Sequence, residues 1–309
     1  CIINDRENDT SVEFIQVRLF PRQQEIHFEQ RIHEQIMYSI SRKKMLFSRH
    51  PEIRIHHTGY KNPEIHRKKA ARNKLLLLAE IENNPDDATL QLSLADCLIT
   101  LYEIEEAKKL YYKVIQNDDA WKINSDVFVQ AHLNLAKIFI KQNDNYNARR
   151  YLLRSLYLDK TRIEAYFALG RIFLNEGNEK KAAAFIMKSA RITPPLRLTA
   201  VDNLKIRLES IYYLMELLIK WERYSEVERT LLPAIKYYPM VPQYYNQMGK
   251  VLLLQSKIVK AAFYFTMSIH ISPTNNDEAY RGMAEVYTTL GDKKTAEQYL
   301  QKLIKSSII

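Results

Sequence analysis

Residues 166–194, YFALGRIFLNEGNEKKAAAFIMKSARITP, contain the pattern that decides the fold. A large and a small residue, Leu169 and Gly170, are followed about one helical turn later by Phe173. A second small residue, Ala182, follows in the next helical stretch. Small side chains let two helices approach closely, and the proline at the end of the segment stops the second helix. The segment is therefore predicted to form a pair of packed helices.

The same pattern recurs through the second and larger part of the chain. The small or replacing residue of the second helix is found at Ala107, Ala148, Ala182, Val227, Ala261 and Ala296. The matching pair of the first helix is found at Leu94–Ala95, Leu135–Ala136, Leu169–Gly170, Leu214–Met215, Met248–Gly249 and Met283–Ala284. Several intervals are the ~34 residues typical of the tetratricopeptide repeat, which the pattern resembles. The resemblance implies stacked helix pairs that present a binding surface.

We therefore predict a mostly α-helical chain, with a tetratricopeptide superhelix of about six helix pairs after a small α+β segment. The predicted units lie near residues 88–121, 129–162, 163–196, 208–241, 242–275 and 277–309. The fourth unit departs most from the pattern, because Val227 and Met215 replace small residues and are expected to widen the helix crossing. Two long intervals, near residues 121–126 and 196–206, predict lengthened helices or loops.

Composition favours a soluble, folded and largely helical chain. Of the 309 residues, 46% are hydrophobic and 27% are charged. Only six residues are glycine, which predicts few tight turns and no glycine-rich phosphate loop. No apolar run reaches the ~18–20 residues that a bilayer span requires. The two cysteines form no disulfide or metal pattern, which suits a reducing compartment, so we expect a cytoplasmic location.

The formal charge of +10 raises the question of a nucleic-acid partner. The basic residues are dispersed, however, and the densest groups, at residues 42–44 and 67–69, are short. Neither group is interleaved with the aromatic side chains on which bases stack. The sequence therefore favours a protein or peptide partner over a nucleic acid.

Partner binding is predicted on the first helix of each pair, at positions that face the inner side of the stack. One equivalent position is basic in three units, at Lys137, Arg171 and Lys250, and acidic in the others, at Asp96, Glu216 and Glu285. The adjacent row consists of Leu133, Phe167, Tyr212, Asn246 and Arg281. The three basic residues are suited to an acidic or carboxylate-bearing peptide. The alternative is an ordinary solvated surface.

Residues 1–80 do not follow the repeat. Residues 12–20 alternate and are β-branched, which predicts a strand that Pro21 ends. Residues 25–28 are predicted to form a return strand and residues 52–57 a third strand. From Pro63 onward the pattern is helical and leads directly into the repeats.

Six of the eight histidines lie in this first segment, at His27, His33, His50, His56, His57 and His66. Such a concentration raises a metal or acid–base hypothesis. No cysteine partner and no HExxH spacing accompanies these histidines, which argues against zinc. The alternative is a set of exposed or hydrogen-bonded histidines in a small β-rich segment.

Four short motifs follow one another in the order RLFP at residues 18–21, RIHEQ at 31–35, HTGY at 57–60 and KxxRN at 69–73. Over roughly residues 14–87 this order resembles the end of the catalytic domain of bacterial family-2, GT-A-type glycosyltransferases fused to tetratricopeptide repeats. The resemblance implies transfer of a sugar from a nucleotide-diphosphate donor. Such enzymes hold the donor diphosphate with a divalent metal, Mg²⁺ or Mn²⁺, because the leaving group is negatively charged.

The resemblance also implies roles for individual residues. His57 would complete the metal or diphosphate site, and Lys69 and Arg72 would contact phosphate or simply lie on a helix surface. His33 and Glu34 would lie near the acceptor cleft, where Glu34 would act as a general base or a hydrogen-bond acceptor.

The chain departs from that family in a major respect. The nucleotide-binding half and its D-x-D motif are absent, and residues 5–7 imitate the motif only loosely. The chain begins at Cys1 rather than at a methionine, so we expect a truncated product that is inactive by itself and binds no cofactor tightly. The predicted domains are a glycosyltransferase-like remnant at 1–66, a linker helix at 67–87 and the repeats at 88–309. The alternative is a non-enzymatic adaptor whose first 80 residues form a cap.

Overall fold

The structure, a computed structural model, describes residues 2–5, 12–15, 19–28, 36–43, 45, 54–56, 63–117, 125–195, 202–274 and 276–306. The described chain is mostly helical, which confirms the predicted class. It divides into two compact units, unit 1 at Cys1–Leu208 and unit 2 at Glu209–Ile309. Each unit is described by itself.

Unit 1 contains two leading helices and three helix pairs among the described residues. The leading helices are α1 (Met37–Arg42) and α2 (Pro63–Asn83). The pairs are α3 (Ala88–Thr100) with α4 (Ile104–Gln116), α5 (Ser125–Lys141) with α6 (Asn145–Leu158), and α7 (Ile163–Asn175) with α8 (Glu179–Arg191). The first helix of a pair is called helix A and the second helix B.

Three more helix pairs follow, and the unit boundary falls within the first of their helices. The pairs are α9 (Asn203–Lys220) with α10 (Tyr224–Tyr237), α11 (Pro242–Leu254) with α12 (Ile258–Ile271), and α13 (Asp277–Thr289) with α14 (Lys293–Ser306). The predicted lengthening of α9 over residues 203–206 is present, whereas residues 196–201 and 118–124 lie outside the described part of the chain.

A tight turn joins helix A to helix B in every described pair. One residue of each turn has a positive φ, at Tyr102, Asn143, Gly177, Glu222, Ser256 and Gly291. The next residue donates its N–H back to the last turn of helix A, as in Asn178 N to Phe173 O at 2.8 Å. This is the hydrogen bond that closes a left-handed helix cap. The expectation of few tight turns was therefore wrong, because four of these caps do without glycine.

The anchor residues of the repeat lie in the core, as the pattern requires. Every one of the six helix-B anchors from Ala107 to Ala296 is buried, including the larger Val227. Gly249 allows a close approach of its two helices, because a Cβ at this position would lie 2.8 Å from the ring of Phe265. Aromatic residues near the end of helix A stack on helix B, with ring centroids 5.5 Å apart for Phe173 and Phe185. Small residues at the anchor positions and aromatic residues near the end of helix A therefore determine how the two helices of a pair pack together.

Successive helix pairs of unit 1 are joined by a buried ion cluster. Arg162, immediately before α7, has a side chain with 0% exposure. Its guanidinium contacts the carboxylate of Asp126, lies 3.0 Å from Asp159 Oδ2 and 3.4 Å from Glu164 Oε1, and donates to Gln130 Oε1 at 3.4 Å. Since Asp126 and Gln130 belong to α5, the cluster links one helix A to the next.

Unit 2 contains a cluster centred on amide side chains at the matching place, immediately before α13. Asn276 is buried, and its Nδ2 donates to the carbonyl oxygens of Ser268 and Ser272 at 2.9 and 3.1 Å. Its Oδ1 accepts a hydrogen bond from Asn246 Nδ2 of α11 at 2.9 Å. Amide groups therefore connect the two helices A of this unit.

The first segment contains three short strands, β1 (Ile2–Asp5), β2 (Val12–Ile15) and β3 (Arg54–His56). They form a sheet in the order β2-β1-β3, with β1 antiparallel to β2 and parallel to β3. The sequence predicted β3 and part of β2 but missed β1. The predicted return strand at residues 25–28 was wrong, because Ile26 N donates to Gln23 O in a turn.

Helix α2, which includes most of the predicted linker helix at residues 67–87, packs against the first helix pair. Leu77 is fully buried in the core of unit 1, and Ala70 lies in the same core. Lys74 Nζ lies 2.6 Å from Glu103 Oε2, in the turn between α3 and α4. The helix therefore covers the apolar side of the first pair.

Candidate functional site

The helix-A surfaces carry the predicted partner site. In unit 1 this surface is formed by α3, α5 and α7, and in unit 2 by the part of α9 after residue 208, α11 and α13. Polar side chains form hydrogen bonds or ion pairs between adjacent helices A in both units, but the functional groups that make these contacts differ between the units.

A carboxylate–phenol–amide network connects α3 and α5 in unit 1. Tyr111 Oη donates to Asp96 Oδ1 at 2.5 Å, and Asn134 Nδ2 donates to the same oxygen at 2.8 Å. Gln130 Nε2 and Lys137 Nζ donate to Asn134 Oδ1 at 3.0 and 3.3 Å. Burial, followed by the negative charge of Asp96, raises the pKa of Tyr111, so its hydroxyl stays a donor. The network holds Lys137 on the helix-A surface.

The predicted residues of α7 form a cation–aromatic pair. The Arg171 guanidinium carbon lies 5.9 Å from the centre of the Phe167 ring, and both residues are partly exposed. Lys137 and Arg171 thus both reach the helix-A surface of unit 1. The two residues are basic positions on different helices, α5 and α7.

The third predicted basic residue has a local counter-ion. Lys250 Nζ lies 3.6 Å from Glu216 Oε1, and both side chains are about half exposed. Tyr212 is exposed on α9, with its ring edge-on to Tyr213. The helix-A surface of unit 2 is therefore of mixed charge, unlike the basic positions of α5 and α7.

Asn246 belongs to a buried polar cluster in unit 2. Asn246 is 3% exposed and Gln247 is 7% exposed. Asn246 Nδ2 donates to Asn276 Oδ1 and lies 3.4 Å from Glu278 Oε2, while Gln247 Nε2 donates to Glu278 Oε1 at 3.1 Å. Among the described residues, the carbonyl oxygens of Asn246 and Gln247 have no hydrogen-bond donor.

The orientations of these amides are fixed by their partners. Asn276 Nδ2 faces backbone carbonyls, so its Oδ1 must face Asn246. Glu278 offers only acceptor oxygens when ionised, so both amide nitrogens of Asn246 and Gln247 turn toward it. Loss of hydration raises the pKa of Glu278 although part of its side chain stays exposed, and Lys250 opposes this shift. The two amide oxygens are left as acceptors.

Sequence reasoning placed one core residue in the site and missed several polar ones. Leu133 was assigned to the inner row but lies in the core of unit 1, because its side chain faces the neighbouring helices. Asn134, Gln247 and Glu278 were not predicted. A polar residue at a buried helix-A position was the available signal.

The residues that the glycosyltransferase resemblance singled out are not brought together in the described part of the chain. His33, Glu34 and His57 lie outside the described residues. Lys69 and Arg72 lie on α2, where Arg72 is exposed and its Nη2 donates to the adjacent Asn73 Oδ1 at 3.0 Å. The described residues contain no group of three or more His, Cys, Asp or Glu side chains suited to a metal.

Comparison with protein families gives a direct match to the repeat pattern. The tetratricopeptide repeat model matches residues 129–162, 163–195 and 278–307. These three segments are tetratricopeptide repeats. The first two segments include Arg162, Gln130, Asp159 and Glu164 of the ion cluster, whereas Asp126 lies just before them, and the third segment includes α14. The comparison with curated proteins found no match.

Solved structures of repeat proteins resemble the chain in fold. The C-terminal part of a tetratricopeptide repeat-containing protein from Cytophaga hutchinsonii has a TM-score of 0.57 and 16% identity, over 79% of this chain and 93% of that one. MamA from Desulfovibrio magneticus gives 0.45 and 16%, over 58% and 94%. YrrB, described as having an unusual peptide-binding site, gives 0.38 and 18%, over 74% and 91%.

None of the described helices combines the length and apolar character that crossing a bilayer requires.

Proposed function

We propose that this chain binds an extended segment of a partner protein on its helix-A surfaces. The observation that supports this proposal is that the amide oxygens of Asn246 and Gln247 are buried and have no hydrogen-bond donor among the described residues. A buried carbonyl without a donor costs ~1–3 kcal/mol, so such groups have partners in native assemblies. Both oxygens are closed to solvent in the chain without a partner, so the proposal requires the cluster to open when the backbone N–H groups of an extended peptide donate to them. The tetratricopeptide repeats support a protein partner in general.

The charges on the helix-A surfaces suggest which feature of a peptide each unit recognises. In unit 1, Lys137 and Arg171 supply positive charge toward an acidic or C-terminal carboxylate group. In unit 2, Lys250 is balanced by Glu216, so this residue contributes less to acid selectivity. We propose main-chain recognition by unit 2 and side-chain selection of acidic residues by unit 1.

The test is peptide binding measured by fluorescence anisotropy, with ligands first selected from a random peptide library. Asn246→Ala is expected to weaken binding of a selected peptide about tenfold, the equivalent of ~1.4 kcal/mol. Gln243→Ala, an exposed amide on the same helix, is the matched control and should leave binding unchanged. Equal effects of the two changes would overturn the proposed role of the buried amides.

A charge-reversal pair separates the contributions of the two units. Lys137→Glu with Arg171→Glu is expected to weaken binding of acidic peptides more than Lys250→Glu does. The structural reason is the existing pairing of Lys250 with Glu216. If Lys250→Glu has the larger effect, acid selection belongs to unit 2.

A second candidate function rests on the order of the four motifs between residues 18 and 73. It is nucleotide-sugar transfer by an intact parent enzyme in the cytoplasm, with His57 at the metal site and His33 and Glu34 near the acceptor. The family model matches the repeats alone and adds no support to this candidate. A glycosyl-transfer assay on the protein extended upstream tests it, and full turnover after His57→Ala would contradict it.

A further inference from the structure

The outward side of α6 carries an exposed aromatic and basic stripe. Tyr146 is 73% exposed and Tyr157 is 75% exposed, and Leu153 between them is also exposed. Arg150 and Arg154 are exposed at the intervening turns. These positions recur every three or four residues, so they share one side of the helix. The helix contains no acidic residue.

Helix α8 extends the positive charge beside this stripe. Its exposed basic residues are Lys180, Lys181, Lys188 and Arg191. The two helices B are neighbours, because Arg149 of α6 and Lys181 of α8 both lie against the ring of Phe173, at 5.7 and 5.5 Å. The exposed sides of α6 and α8 thus form one surface, called here the α6–α8 surface.

Glu179 lies in the first turn of α8, and two further acidic residues near this surface are engaged by other residues. Glu176 is paired with Arg149 at 2.6 Å, and Asp159 is paired with the buried Arg162 at 3.0 Å. Among the described residues, neither Arg150 nor Arg154 forms an ion pair with an acidic side chain. The positive charge of the α6–α8 surface is therefore available to a partner.

We propose that the α6–α8 surface docks an acidic amphipathic helix of a partner protein, separately from the helix-A surfaces. Tyr146, Leu153 and Tyr157 provide apolar contact over about 16 Å, which is roughly three turns of a helix at 1.5 Å per residue. Apolar side chains spaced at i, i+4, i+7 and i+11 on the partner fit such a stripe. Carboxylates on its flanks complement the basic residues of both helices.

The same surface is less suited to single-stranded nucleic acid. Bases stack on open aromatic rings, whereas the Arg154 guanidinium carbon lies 5.2 Å from the ring centre of Tyr157 and covers one side of it. The central apolar residue, Leu153, offers no ring at all. An apolar anchor between two tyrosines is instead suited to the aliphatic side chains of a protein helix.

The test uses a labelled peptide of about 15 residues with leucine at i, i+4, i+7 and i+11 and glutamate at the flanking positions. Binding is measured by anisotropy with the full chain. Arg150→Glu with Arg154→Glu is expected to weaken binding at least tenfold, and Tyr157→Ala at least threefold. The matched control, Arg229→Glu with Lys236→Glu, reverses two exposed charges on the helix B of another pair and should leave binding unchanged.

Three further arms separate the possible partners. A peptide with lysine in place of glutamate should not bind, and oligo-dT and phosphatidylserine vesicles should bind more weakly than the acidic peptide. Stronger binding of either, or equal loss in the control variant, overturns the proposal. Circular dichroism melting verifies that each variant is folded. Asn246→Ala should leave this binding intact, which distinguishes the α6–α8 surface from the helix-A surfaces.

Discussion

The joint between helix pairs differs between the two units although it occupies the same place in the repeat. In unit 1 the residue before helix A is Arg162, which is fully buried among three carboxylates. In unit 2 it is Asn276, which is buried among backbone carbonyls and another amide. The same helix stacking is therefore compatible with an ionic joint and with a neutral one.

The difference has an energetic consequence. Removing one partner of a buried ion cluster leaves charges without compensation, which costs several kcal/mol. Removing a neutral amide leaves hydrogen-bonding groups unpaired, and each unpaired group lowers the stability by less than an uncompensated buried charge does. An ionic joint is thus more sensitive to mutation than an amide joint. The amide joint instead leaves two buried acceptor oxygens, on Asn246 and Gln247, without a donor among the described residues.

The largest effect is expected for Arg162→Met in unit 1. The carboxylates of Asp126 and Asp159 would lose their shared cation, and unit 1 should lose about 3 kcal/mol of unfolding free energy. Native-state hydrogen exchange of amides in α5 and α7 measures this locally, so that unfolding of unit 2 does not interfere.

The control for this variant is Arg149→Met on α6. Arg149 pairs with Glu176, but both side chains are about one-third exposed, so its loss should cost no more than ~1 kcal/mol. If the two arginine variants are equally destabilised, the buried ion cluster contributes no more than a surface pair.

A smaller effect is expected for Asn276→Ala in unit 2. The change removes the donor to Ser268 and Ser272 and the acceptor for Asn246, which should cost about 2 kcal/mol. Chemical denaturation followed by exchange of α11 and α13 amides gives the value. Gln243→Ala on the exposed side of α11 should change stability by less than ~0.5 kcal/mol. A cost above that of Arg162→Met would reverse the comparison between the joints.

The sequence predicted those parts of the fold that local pattern determines. Small residues such as Ala182 and large ones such as Phe173 recur at fixed spacing, because each pair buries them in the same way. The turns were not predicted, because a left-handed cap formed by Tyr102 or Glu222 contains no glycine that would indicate it in the sequence. Leu133 was misplaced because spacing alone does not separate the core side of a helix from its inner side.

The candidate site was predicted less completely than the fold. Lys137, Arg171 and Lys250 were correctly located on helices A, but the pairing of Lys250 with Glu216 depends on two different helices. The buried amide cluster depends on Asn276, which lies in a connection and has no repeat pattern. Contacts between different helices, and between helices and connecting segments, could therefore be identified only from the structure.

The smallest expected effect concerns the pH dependence of unit 2. Loss of hydration raises the pKa of Glu278 in the folded state above its ordinary value of 4.5, so the folded state binds the proton more tightly than the unfolded state. The stability from this group is fully present below about pH 4.5 and is lost as the pH rises through the folded pKa. Glu278→Gln removes this loss, so the variant should gain stability over the parent as pH rises.

Glu228 on α10 provides a control of opposite sign. Hydrogen bonds from Gln255 and then Lys257 lower its pKa, outweighing partial burial, so its contribution is present above about pH 4.5 and is lost as the pH falls. Glu228→Gln should therefore lose stability at neutral pH, whereas Glu278→Gln should not. Both changes should stay below ~1 kcal/mol, because both side chains are partly exposed. Unfolding free energies measured from about pH 4 to about pH 8, roughly half a unit below to several units above the ordinary glutamate pKa, give the pH dependence of the stability of both variants. Parallel slopes for the two variants would contradict the desolvation of Glu278 and, with it, the closed polar cluster around Asn246.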